Sequence, residues 1–330
     1  MSDTGKFTVK KVTKLADLVS GKETEIPESD VTIQNNEAIV QFSYEEAEKE
    51  EGLFLIKPGS FLIEDGNFGT SLKKFKLREY ELLEEVDNTS IILNEGNKFF
   101  SKLEVYKKIQ REPKRAVLLC SPPGVGKTAA INEVCNKYLK EDKGTCVVVW
   151  DTSDVASSAV NKFFLRKSTF SKGVTRLILI MEDIGGGSVE EYYGTRGADS
   201  SLLNLLDGVG NPFKKIPTFI VATTNNPETS VGALIDRPGR FDKVIELSTP
   251  NEKESIALLK FIARRTLTKD EEEAARLASE KGFSIAHLQE IVVRSMLDDS
   301  SFLEVVQELS KHKERFKESF QETKKMGLGI

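Results

Sequence analysis

Short apolar runs broken by turn residues fill the first 95 positions, and from about residue 99 longer apolar runs alternate with amphipathic stretches. The early runs, at 31–33, 38–42, 53–56, 61–63 and 91–93, read as strands, with turns at Pro58-Gly59 and Asp65-Gly66-Asn67. The later runs, at 116–120, 146–150, 177–181, 218–222 and 244–247, are continuous and mostly rich in Val, Ile and Leu. That is the pattern of strands covered on both faces in a parallel sheet. Helical stretches at 127–139, 155–164 and 202–206 fall between them, which predicts a doubly wound α/β sheet with right-handed crossovers. After Pro250 the strand pattern stops. Asn251 and Glu254 have the spacing of a capping box, and helices are expected at 252–265, 269–279, 285–297 and 302–322. The expected organisation is a small mixed or mostly β unit at 1–95, a parallel-sheet unit at 96–250, and an all-helical unit at 251–330.

Composition narrows the classes. Hydrophobic residues make up 39% of 330, an ordinary globular share. Basic residues number 47 against 52 acidic, net −5, so the overall charge does not suggest a nucleic-acid partner. The longest purely apolar runs are far short of the roughly 20 residues a membrane span needs. The opening MSDTGKFTVKK has neither the apolar core of a secretory signal nor the Arg- and Ser-rich, acid-poor character of a transit peptide. Cys120, Cys135 and Cys146 show no C-x-x-C spacing and read as reduced thiols of a cytoplasmic protein. With only His287 and His312 available, a His/Cys metal site is not expected. Residues 1–110 carry 15 basic and 21 acidic side chains, so the acidity lies in that part. Its acidic run at 45–51 reads as a solvated helix face or as a docking site for a basic partner.

The chemistry is concentrated where apolar runs end. Ser121-Pro-Pro-Gly-Val-Gly-Lys-Thr128 follows one run and opens a helix, the context a phosphate-binding loop requires. Gly124 and Gly126 let backbone N–H groups face inward, and the helix directs its positive end at the phosphates. Lys127 can bridge the β- and γ-phosphates, and Thr128 can give its hydroxyl to Mg²⁺. Pro123, Gly124, Val125, Gly126, Lys127, Thr128 and Ala129 are therefore the candidate ATP-binding residues. Ser121 stands where such loops usually begin with glycine. The run at 177–181 leads into Glu182-Asp183, which places two carboxylates at the sheet's carboxyl edge. One should hold Mg²⁺ and the other polarise the attacking water. By position Glu182 takes the metal and Asp183 the water, although the longer reach of Glu leaves the exchange open. Asn225, after the run at 218–222, is a candidate partner of that water or of the γ-phosphate. Arg237 and Arg240 flank a Pro-Gly turn and can act as arginine fingers on a neighbouring subunit.

These motifs, taken in order, resemble the AAA family of ring-forming ATPases. The resemblance is carried by SPPGVGKT at 121–128, LILIMEDI at 177–184, LLNLLDGV at 202–209, ATTNNP at 222–227 and LIDRPGRFD at 234–242, and reaches the helix opened by GFSIAHL at 282–288. It implies a P-loop sheet of the AAA+ (ASCE) type with a C-terminal helical lid. It also implies ATP and Mg²⁺, a homo-oligomeric ring (a hexamer) and sites completed by a neighbour's arginines. Lys127, Thr128, Glu182, Asp183, Asn225, Arg237 and Arg240 inherit these roles. The Glu-Asp order and the 202–209 segment are similar to the branch containing the mitochondrial translocase of the Rieske iron-sulfur protein. Unfoldases of the family carry an aromatic pore loop after the second strand, but here 154–160 has no aromatic. Tyr192 and Tyr193, in a glycine-bearing loop, are the alternative pore residues. Three functions follow as expectations: a remodelling ring recruited to protein by residues 1–95, a nucleotide-dependent scaffold with little hydrolysis, and a nucleic-acid motor or loader.

Overall fold

A computed structural model describes residues 31–34, 37–40, 54–66, 69–83, 86, 88–184, 202, 205–206, 213, 216–225 and 240–325. The acidic run at 45–51, Tyr192, Tyr193, Arg237 and the segment 226–239 lie outside the described residues.

Eleven strands are described. β1 (Val31–Gln34) and β2 (Glu37–Val40) form an antiparallel pair. β3 (Phe54–Ile56) pairs in parallel with β8 (Ser168–Phe170). The other seven make one sheet: β4 (Gly59–Gly66), β5 (Gly69–Lys74), β6 (Lys114–Cys120), β7 (Thr145–Asp151), β9 (Arg176–Glu182), β10 (Thr218–Thr224) and β11 (Lys243–Glu246). Their order is β11-β6-β10-β9-β7-β4-β5. Every neighbouring pair is parallel except the β4–β5 hairpin.

The central strands bury both faces, and successive residues feed opposite cores. Leu118, Val148 and Leu179 lie in one core with Phe163, Phe164 and Leu205. Leu119, Val147 and Ile178 lie in the other, under α1 (Thr89–Ser101) and α3 (Lys127–Glu141). A short α2 (Leu103–Lys108) follows α1. α4 (Ser157–Lys162), extended by a π-helical turn at Phe163–Lys167, lies after β7.

The C-terminal part is helical as expected: α5 (Glu252–Ala263), α6 (Lys269–Glu280), α7 (Ile285–Asp298) and α8 (Phe302–Lys325). Both halves of the Asn251–Glu254 capping box form. The lid core also takes in Leu83 and Val86, from the strap that links β5 to α1.

Two expectations from the sequence differ from the structure. The run at 91–93 is inside α1, not a strand. Its neighbours set the period, since Ile92, Gly96 and Phe99 are buried on one helix face. Residues 59–74, assigned by pattern to an N-terminal unit, hydrogen-bond into the main sheet, with Gly59 opposite Cys146 and Leu62 opposite Val149. Alternation along a strand says which face it buries but does not name its partner.

Candidate active site

The sheet order sets the site. β6, β10, β9 and β7 are consecutive neighbours, so their carboxyl ends, at Ser121, Asn225, Glu182 and Asp151, line one edge. There the phosphate-type loop leaves β6 and enters α3. Gly124 (φ +81°) and Gly126 (φ +89°) occupy the left-handed region, which a side chain would strain. The loop opens onto a cleft of about 590 Å³. Its other wall is made by the strap (Tyr80, Leu83, Val86) and by lid residues including Leu258, Ile262 and Ile285.

Two chains of contacts meet in the cleft. In the first, Lys127 Nζ donates to Ser121 Oγ (2.7 Å) and to Asn225 Oδ1 (2.8 Å). Asn225 Nδ2 then donates to Asp183 Oδ1 at 3.0 Å. The asparagine amide thus spans a cation and an anion, one with each end. Ser121, standing where such loops usually begin with glycine, gives the lysine a side-chain acceptor. Burial pushes the Lys127 ammonium below its ordinary pKa, and the Asp183 carboxylate opposes that shift.

In the second, the Thr128 hydroxyl lies beside the Glu182 carboxyl and favours its ionised form. Burial is the larger effect and raises the Glu182 pKa, helped by the charges of Asp151 and Asp183. A half-buried carboxylate with a hydroxyl beside it offers two oxygen ligands of the kind a hard divalent cation takes, although among the described residues no three acidic, His or Cys side chains gather closely enough to ligate an ion by themselves. The pair on β9 is held firmly. Asp183 has φ +51°, its N–H donates to Thr223 Oγ1 (3.0 Å), and the Thr152 hydroxyl donates to the Glu182 carbonyl (2.8 Å). The left-handed turn at Asp183 sends the two neighbouring carboxylates to different partners.

The structure therefore brings together Lys127, Thr128, Glu182, Asp183 and Asn225. Arg240 is buried, 2% exposed, just ahead of β11. In this single chain its guanidinium is not presented to a neighbour. Asp151 was missed by sequence reasoning, yet it ends an apolar run just as Glu182 does. The strap and lid residues carried no comparable signal, because an apolar pocket wall has the same composition as a core.

Loop, paired carboxylates and bridging asparagine on the edge of a parallel sheet define a P-loop nucleotide site. Residues 117–249 match the family described as ATPase family associated with various cellular activities (AAA). The chain carries an ATPase domain of the AAA family. It is similar to AAA-ATPase At2g18190 of Arabidopsis thaliana, 34% identical over 171 residues, which are 48% of this chain and 32% of that protein. It is 29% identical over 173 residues to a proteasome-activating nucleotidase of Methanocaldococcus jannaschii, covering 49% of this chain and 38% of the relative. It is 28% identical over 224 residues to the ATP-dependent zinc metalloprotease FtsH 2 of Phytoplasma mali, covering 65% and 31%. The chain thus spans about a third of the length of these curated relatives. Among the described residues no helix is long and apolar enough to cross a membrane.

Proposed function

We propose that this chain is a Mg²⁺-dependent ATPase that acts as a ring of identical subunits, six by family resemblance, to remodel, disassemble or translocate a protein substrate in the cytoplasm. The observation that carries the reading is the meeting of Lys127–Asn225–Asp183 and Thr128–Glu182 in one cleft.

Thr128 and Glu182 would hold the metal, and bound Mg²⁺ would neutralise phosphate charge. The Lys127 ammonium exchanges Ser121 and Asn225 for phosphate oxygens. Asp183 orients the attacking water and takes its proton, with Asn225 fixing the carboxylate. The contact between Thr128 and Glu182 favours this order over the exchanged one. Arg237 stabilises the transition-state charge in the adjacent subunit, joined by Arg240 through a rearrangement on assembly that frees its buried side chain. A protein substrate is supported by relatives named as a proteasome-activating nucleotidase and a metalloprotease. The part of 1–95 that precedes β4 recruits it, and Tyr192 and Tyr193 contact it in the pore.

The test is phosphate release and nucleotide binding across a dilution series for wild type, Lys127→Ala and Arg237→Ala. Lys127→Ala should weaken nucleotide binding on the order of 100-fold. Arg237→Ala should bind normally and lose about 10³-fold or more in turnover. Full-rate turnover by dilute single chains refutes the shared site. Tight binding without turnover in the assembled wild type favours the scaffold reading, which the shorter carboxylate at the water position supports.

A further inference from the structure

The first turn of α7 is pressed against the phosphate loop. The Ala286 N–H donates to the Gly124 carbonyl at 3.1 Å. A Cβ on Gly124 would lie 2.7 Å from Ser284 Oγ and 2.9 Å from the Ala286 Cβ. Ile285, Ala286 and Gln289 line the cleft itself. Small changes in this turn therefore reach the nucleotide site without passing through the sheet.

The turn is held by an unusual cap. Ser284 is the N-cap residue, and the third position of the helix is His287. Glu or Gln commonly fills that position in a capping box, reaching back to the N-cap N–H. Here the Ser284 N–H points to His287 Nδ1 (3.3 Å), and Ser284 Oγ lies 2.7 Å from the same nitrogen. Accepting the backbone N–H requires a lone pair on Nδ1, so the cap needs the neutral ring with its proton on Nε2. The ring stacks on Phe283 with centroids 4.9 Å apart.

The charged groups around the ring are cationic or already paired. From α8, Lys313 Nζ lies 5.3 Å from the Phe283 ring centre and donates to the Lys281 and Gly282 carbonyls. The Lys281 ammonium pairs with Glu314 of α8 at 3.1 Å. On the loop side Lys127 faces Ser121 and Asn225. Burial first and Lys313 second hold the His287 pKa below its ordinary value, which favours the capping form.

We propose that neutral His287 is a positioning residue of the nucleotide site, fixing the first turn of α7 on the phosphate loop, and that protonating it loosens bound nucleotide. The inference rests on the nucleotide-site reading above but not on hydrolysis or ring closure. The test is titration of the full chain with fluorescent ADP from pH 8 to pH 5, for wild type, His287→Ala and His287→Asp. Wild-type affinity should fall about fivefold as the ring protonates, the size expected for loss of one cap. His287→Ala should bind about fivefold more weakly at pH 8 and show a shallower profile than wild type. His287→Asp supplies a carboxylate acceptor, so it should recover wild-type affinity at pH 8 and fall less than wild type on acidification, keeping only the decline that Glu182 and the ADP phosphate contribute. A decline in His287→Asp as steep as in wild type, or wild-type affinity in His287→Ala, overturns the proposal and leaves the nucleotide site standing. No ADP binding by wild type at any pH overturns both.

Discussion

The two walls of the cleft are built differently. On the sheet side Asp151, Glu182, Asp183 and Asn225 sit at the last residue of a parallel strand or one residue beyond it, where backbone ladders fix their positions, and Lys127 and Thr128 open the helix that follows β6. Glu182 lies opposite Asp151, and Thr224 lies opposite Cys120. On the lid side the positions depend on helix caps, apolar contacts and surface ion pairs. Arg264, at the end of α5, makes a two-pronged contact with Glu81 of the strap and lies over the Phe261 ring at 4.5 Å. The first wall is suited to holding reactive groups still. The second can move without breaking the fold, because its fastenings are individually weak.

That contrast predicts a graded set of effects. The largest belongs to the sheet wall. Asp183→Asn should lower turnover by about 10²–10⁴ with nucleotide affinity kept, as for loss of a general base. Glu182→Gln should instead raise the Mg²⁺ concentration needed for half-maximal binding. Parallel metal titrations of the two variants separate the roles, and the reverse result would exchange them. A smaller effect belongs to the lid fold. Glu271 caps α6 through the Thr268 N–H and pairs with Arg265. The Arg265 hydrogen bond leads in lowering its pKa from 4.5 to about 2. A carboxylate with a depressed folded pKa stabilises fully above its unfolded pKa and less as pH falls. Glu271→Gln should therefore cost about 1 kcal/mol at neutral pH. In denaturant unfolding the gap to wild type should narrow between pH 4.5 and 2. The smallest effect is at the latch: Glu81→Gln should change nucleotide affinity by no more than about twofold, and less in high salt. A large effect there would show that the strap is as firmly fastened as the sheet edge.

The same contrast explains what the sequence made legible. Lys127, Thr128, Glu182, Asp183 and Asn225 follow apolar runs at fixed offsets, so local pattern alone was enough to find them. Asp151 carried the same signal and passed unnoticed because no paired acid marks it. The run at 91–93 suggested a strand because three β-branched and aliphatic residues in a row fit either period. The joining of β4 to β7 is a pairing between positions about 90 residues apart, which no local pattern encodes. The burial of Arg240 is equally a property of the folded chain: the RPGR motif gives its chemistry, but its exposure depends on the packing ahead of β11.

The β4–β7 ladder has a mechanical consequence. Four residue pairs, from Gly59–Cys146 to Leu62–Val149, lie side by side and run in the same direction. Tension along the chain that passed the short β3–β8 pair would load them together in shear, not peel them apart one at a time. A pull that reaches Gly59 would thus be passed through the ladder into the strand that ends at Asp151.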